Sequence, residues 1–176
     1  FTSDGFTATE GSTGGADYVN ESGVNYVAWT WDAGTAASGA NNDGDANVSA
    51  GNQWVNTTAG FSITKYTGVI SSGAQTKSVG HGLSTVWNSD QWMIISRRID
   101  GTSDWWVQHV GIHDGDHALK LNSNVAKTDI SGDGTLTTPT SQVWYGNWNS
   151  GLQAAHETIA YVFTGIPGYS SIGSWE

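Results

Sequence analysis

With 176 residues, ten Trp, 24 Gly, two Pro and no Cys, the chain has room for one well-packed domain but none for a disulfide framework or a Cys-ligated zinc site. Its net charge of −10, from six Lys+Arg against 16 Asp+Glu, leaves no basic footprint for phosphates. Nucleic acid is thereby excluded as a partner, and membrane insertion and anionic membranes are disfavoured.

Four Glu and four Lys cannot furnish an ordinary amphipathic helix, so the expected class is all-β. The opening residues 1–6 (FTSDGF) read as a short strand. Residues 25–32 (NYVAWTWD) alternate Tyr26, Ala28 and Thr30 against Val27, Trp29 and Trp31, which predicts a strand. Residues 33–52 are small and polar and predict a long surface loop. From Gly60 to Val110 come three apolar runs, at residues 61–66, 92–96 and 105–110, which form the expected centre of the fold. In the first, Phe61, Ile63 and Lys65 face one way while Ser62, Thr64 and Tyr66 face the other. The second is almost continuously apolar, as in a strand covered on both faces. Between them Val79-Gly-His-Gly-Leu83 forms a tight corner, in which His81 is expected to bond backbone groups and lock the turn.

Asp100-Gly101 supplies the residue pair of a type I′ hairpin turn. Strands follow at residues 117–121, 142–145 and 157–164, with Pro167-Gly168 opening a glycine-punctuated tail. About ten strands at this spacing predict an antiparallel β-sandwich or jelly roll over residues 1–176 as a single domain. The aromatic strands at 25–32 and 157–164 echo one another, as two sandwich strands with similar packing needs or as terminal strands that are sheet neighbours. No signal-peptide or membrane-spanning pattern is visible, and with Phe at position 1 the chain reads as a module of a longer one.

Ten Trp exceed the needs of a core this size, and flat indoles also stack on sugars and protein partners. Trp105 and Trp106 must point to opposite faces of one strand, leaving one for a ligand or neighbour. Trp87, Trp144 and Trp148 sit in polar, glycine-rich surroundings and join them as candidate ligand-binding residues. Asn41, Asp43 and Asp45 have the oxygen-rich spacing of a calcium loop, though without the distal bidentate Glu of an EF-hand. Asp114 and Asp116 flank Gly115 beside His113 and His117, a second candidate metal group and equally an ordinary turn. Enzyme signals are missing. The four Glu lie far apart, no Glu-x-Asp-x-x-Glu strand is present for glycoside cleavage, and no Gly-x-Ser-x-Gly elbow occurs.

Taken in order, several motifs resemble a domain recurring in tail-fibre and other virion structural proteins of marine and environmental bacteriophages. They are FTSDGFT at 1–7, YVAW at 26–29, TTAGFSI at 57–63, YTG at 66–68, VGHGL at 79–83 and MII at 93–95. IAY at 159–161 and GYS at 168–170 complete the series. The resemblance implies a lectin-like sandwich of the concanavalin A type, located on a virion or otherwise extracellular. Its implied role is non-enzymatic, assembling with itself or other virion proteins. Two alternatives are a carbohydrate-binding adhesin for host surface glycans and a repeat of a secreted bacterial extracellular filament.

Overall fold

The structure, a computed structural model, describes residues 25–26, 28–37 and 43–174. The chain divides into two compact units, Phe1–Trp31 and Asp32–Glu176. In the first, residues 25, 26 and 28–31 belong to no strand, and Tyr26, Trp29 and Trp31 are 50%, 73% and 52% exposed. The strand expected at 25–32 is therefore corrected. Alternation is only half of what a strand needs; the other half is a ladder partner. The strand expected at residues 1–6 lies outside the described residues.

The second unit is all-β. Its strands are β1 Thr35–Ala36, β2 Gln53–Asn56, β3 Phe61–Thr67, β4 Lys77–Gly80, β5 Trp92–Arg98, β6 Trp106–His109, β7 His117–Lys120, β8 Thr128–Asp129, β9 Val143–Gly146 and β10 Glu157–Thr164. Eight of them pair antiparallel in the order β1-β2-β3-β10-β5-β6-β7-β8, while β4 and β9 form a separate antiparallel pair. The last strand thus lies at the centre, between β3 and β5. Both of its ladder edges are occupied, by β3 and by β5. Among the described residues no helix is long and apolar enough to cross a membrane.

The three longest strands set the register: Tyr66 pairs with Thr158 and Thr158 with Arg98, then Thr64 with Ala160 and Ala160 with Ser96. One face of this sheet meets β4–β9. There Tyr66, Trp92, Ile94, Ala160 and Val162 pack with Val79, Trp144, Ile70, Leu83 and Leu152. The alternation expected in β3 holds, but the fully buried inner face is the one bearing Ser62, Thr64 and Tyr66. Small side chains let the layers approach, and most of their polar atoms are matched across the gap. Gln53 Nε2 donates to Thr64 Oγ1 (2.9 Å) and the Gly80 carbonyl (3.0 Å). Ser96 Oγ donates to the Ser150 carbonyl at 2.7 Å, Thr158 Oγ1 to that of Gly151 at 2.8 Å, and Gln108 Nε2 to that of Tyr145 at 2.8 Å. Buried polar groups are tolerated when satisfied in this way. A second small core gathers Trp106, Ala118, Ile130 and Leu136.

Two further expectations are corrected. Residues 33–52 are not all surface loop, because Ala46 and Val48 are wholly buried in the main core and Ala46 bridges to Val79. The β5–β6 connection is not a two-residue hairpin: seven residues, 99–105, separate the strands, and neither Asp100 nor Gly101 has positive φ. At the VGHGL corner, His81 is wholly buried. Its Nδ1 accepts the Leu83 N–H at 3.0 Å, its Nε2 donates to the Thr140 carbonyl at 3.1 Å, and its ring stacks on Trp87 at 4.5 Å. That pattern fixes a neutral ring with the proton on Nε2, and burial lowers its pKa to about 4.

Candidate functional site

Where the β4–β9 layer ends, the inner face of the large sheet opens into a cleft of about 190 Å³. The arms of the cleft come from sequence-distant segments: Arg98 at the end of β5, residues 102–104 before β6, Trp106 in β6, the helical turn 148–151, and Gln153, His156 and Thr158 leading into β10. Trp106 is placed by strand alternation, two residues along β6 from inward-facing Gln108, and the Lys120 ammonium stands 4.7 Å over its ring.

The turn carrying Trp148 is held from below. Asn147 is wholly buried, its Nδ2 donates to the carbonyls of Ile130 (3.2 Å) and Gly134 (3.0 Å), and its Oδ1 accepts the Ser150 N–H at 3.1 Å. Ser150 Oγ accepts the Asn147 N–H at 2.7 Å, closing a capping box. Gly151 sits at φ +106°, and a Cβ there would meet Thr158 Cγ2 at 2.7 Å, so the turn can press against β10 only as glycine.

Asp100 organises the opposite rim. Oδ1 accepts from Arg98 Nε at 2.7 Å, and Oδ2 accepts from His156 Nδ1 at 3.0 Å and from the Glu157 N–H at 3.2 Å. These bonds draw the chain outward and account for the wide 99–105 loop. Desolvation pushes the Asp100 pKa up, but the donors from His156, Arg98 and Glu157 outweigh it and bring it down to about 2. Asp104 is held in the same manner, by Lys120 Nζ at 2.8 Å and Asn122 Nδ2 at 3.0 Å. The Lys120 bond is the main reason its pKa is lowered. Asn149 donates from Nδ2 to Asp133 Oδ2 at 2.5 Å.

Of the five Trp singled out from sequence, the cleft brings together Trp106 and Trp148. Trp105 lies on the other face of the sheet, half-buried, with the Arg97 guanidinium 5.1 Å from its ring centroid and Tyr161 at 6.1 Å. Trp87 backs His81 and is half-buried. Trp144 is a correction: it is 0% exposed, edge-on to Tyr66 at 6.1 Å, and is core rather than ligand surface.

Among the described residues the proposed calcium ligands do not converge. Asn41 lies outside the described residues. Asp45 Oδ2 accepts both the Ser78 N–H and Ser78 Oγ–H at 2.9 Å, and its Oδ1 faces Lys77 Nζ at 3.7 Å. Asp43 is exposed. Asp114 Oδ1 takes the N–H groups of Asp116 and His117, each at 3.0 Å, while Oδ2 takes His117 Nδ1 and Lys127 Nζ, each at 2.8 Å. Asp116 accepts from Thr135 Oγ1 at 3.0 Å. Among the described residues no three His, Cys, Asp or Glu side chains form a metal-binding group. The lysine ammonium groups of Lys77 and Lys127 stand where a cation would.

Arg98, Asp104, Asn149, Gln153 and His156 escape sequence reasoning, because they converge from separate segments without a spacing signature. The nearest signal is the polar run 149–156 (NSGLQAAH) directly after a Trp, between two apolar strands.

No curated protein and no solved structure matches the chain. A family model matches it over residues 1–176, and the chain therefore belongs to the family described as a domain of unknown function, DUF7483.

Proposed function

We propose that the chain is a non-enzymatic adhesion module of a bacteriophage tail fibre or related virion appendage, built as a lectin-like β-sandwich, with a carbohydrate seated in the cleft between residues 98–106 and 148–158. The observation that carries this reading is the half-buried Trp148 beside Arg98, Asn149, Gln153 and His156 around one opening, with the largely buried Trp106 in its lining. Indoles cover the apolar face of a sugar while amide and charged groups meet its hydroxyls, the usual division of labour in a small-molecule site. At about 190 Å³ the cleft is smaller than the ~300–1,000 Å³ typical of drug-sized sites and suits a single ring. Hydrolysis of a glycosidic bond asks for two opposed carboxyl groups. Of the residues lining the cleft only Asp104 is a carboxylate, and it is committed to Lys120 and Asn122.

A second reading, assembly with copies of itself or with other virion proteins, is favoured by large side chains left in water. Trp54 is 38% and Tyr169 70% exposed. Glycan-array binding of the wild type, Trp148→Ala and Gln153→Ala, with circular dichroism to confirm folding, separates the two. Selective binding lost in both variants is the expected result; an array that stays blank, or binding indifferent to both substitutions, leaves only the assembly reading.

A further inference from the structure

Resting on the carbohydrate reading, we infer that the cleft is built for an anionic sugar, whose carboxylate is held by the Arg98 guanidinium while Trp148 takes the pyranose.

The argument is a count of which hydrogen-bonding groups are already used. A neutral sugar presents hydroxyls that must donate as well as accept, so sites for neutral sugars keep acceptors open. Here the carboxylates at the cleft are engaged by the protein itself. Each oxygen of Asp104 takes a donor, from Asn122 and from Lys120. Asp100 takes three, from Arg98, His156 and the Glu157 N–H. The guanidinium beside them is in the opposite state. Arg98 commits Nε to Asp100; its Nη1 stands 3.5 Å from Gln153 Oε1, at the limit of a hydrogen bond, and its Nη2 makes none among the described residues. His156 spends its Nδ1–H on Asp100, so the donor left open here is Arg98.

An arginine edge left open beside carboxylates that the protein already engages is complementary to a ligand that brings a carboxylate of its own. A carboxylate fits the planar guanidinium edge with two parallel bonds, a match that neither a hydroxyl nor an ammonium offers. Asp100 is the positioning residue: by holding Arg98 Nε at 2.7 Å, it orients the guanidinium whose far edge meets the ligand. The location also stands out electrostatically. On a chain with six Lys+Arg against 16 Asp+Glu, one of those six, Arg98, lines this opening and another, Lys120, is paired with Asp104 beside it. Local charge there is balanced, while the protein as a whole would repel an anion.

The test uses the whole chain and matched probes: galacturonate, mannuronate and N-acetylneuraminate oligosaccharides, each beside its counterpart with carboxyls reduced to alcohols, measured by titration calorimetry. At least one acidic probe is expected to bind tenfold or more tighter than its reduced form. Arg98→Gln is expected to abolish that preference, so that the acidic probe binds no tighter than its reduced form. Equal or better binding of every reduced form overturns the inference but leaves the carbohydrate reading standing, provided Trp148→Ala abolishes that binding. Equal losses for both forms in Arg98→Gln also overturn it, since the guanidinium would then serve packing. If no probe binds in either form, the inference falls together with the carbohydrate reading.

Discussion

Acidification should loosen the VGHGL corner before it touches the carboxylates. A proton placed on Nδ1 of His81 would set N–H against the Leu83 N–H inside a wholly buried site. Burial accordingly holds the pKa at about 4 in the folded protein, against about 6.5 for an unfolded histidine. Between those values the unfolded chain binds more protons. The stabilisation is therefore complete above pH 6.5 and lost as pH falls towards 4. At about 1.36 kcal/mol per unit the full loss is ~3 kcal/mol, of which about 2.5 kcal/mol has gone by pH 4.5. That is a large part of the ~5–15 kcal/mol of an ordinary domain. The assay is urea unfolding at intervals from pH 7.5 to 4.5 for the wild type and His81→Asn. The Asn Oδ1 can still accept from Leu83 but does not titrate. His109 and His113, whose burial also lowers their pKa values, cancel in the difference between the two proteins. The stability gap should narrow by about 2.5 kcal/mol over this range. A gap that stays constant, or a His81 ring resonance titrating near 6.5, refutes the reasoning.

Other outcomes follow from the same packing. Trp144→Ala, at the centre of the core, should cost about 3–5 kcal/mol in urea unfolding. Trp29→Ala, at 73% exposure, should stay within about 0.5 kcal/mol. Gly68→Ala would drive a Cβ into the Gln153 carbonyl at a bridge and should destabilise by about 1–3 kcal/mol, read by thermal melting. Asp100→Asn should weaken binding of an acidic probe severalfold by calorimetry while barely moving its reduced counterpart, because the lost group orients the guanidinium without touching the ligand. Millimolar calcium should leave the melting temperature unchanged, since Lys127 and Lys77 already face the carboxylates of Asp114 and Asp45; a rise of several degrees would contradict that arrangement.

Much of the central sheet is legible before any coordinates. β10 begins and ends where the run 157–164 does, and β3 and β5 start at the expected residues, because long, strongly patterned strands announce themselves. What escapes is which face is buried. In β3 hydrophobicity favours Phe61 and Ile63, yet Ser62 and Thr64 face the second layer, since bonding to that layer's backbone requires small polar groups there. The core role of Ala46 and Val48 is faint for another reason: two small apolar residues two apart, inside a stretch of Asn, Asp and Gly, resemble loop composition. The cleft is partly legible. The excess of Trp pointed to Trp106 and Trp148, but the polar groups that give the opening its character come from loops, and their meeting is a product of topology.

The hydrogen bonds linking the two layers carry a mechanical consequence. Gln53, Ser96, Gln108 and Thr158 act as teeth, each engaging one carbonyl of the opposing segment. Sliding that cover along the sheet by a single repeat would strand all four at once, at about 1–3 kcal/mol apiece. A chain without cysteine thereby obtains a lock that reduction cannot open. Two of the teeth seize Ser150 and Gly151, in the wall beside Trp148, so the same lock that joins the layers also holds the wall of the cleft in place.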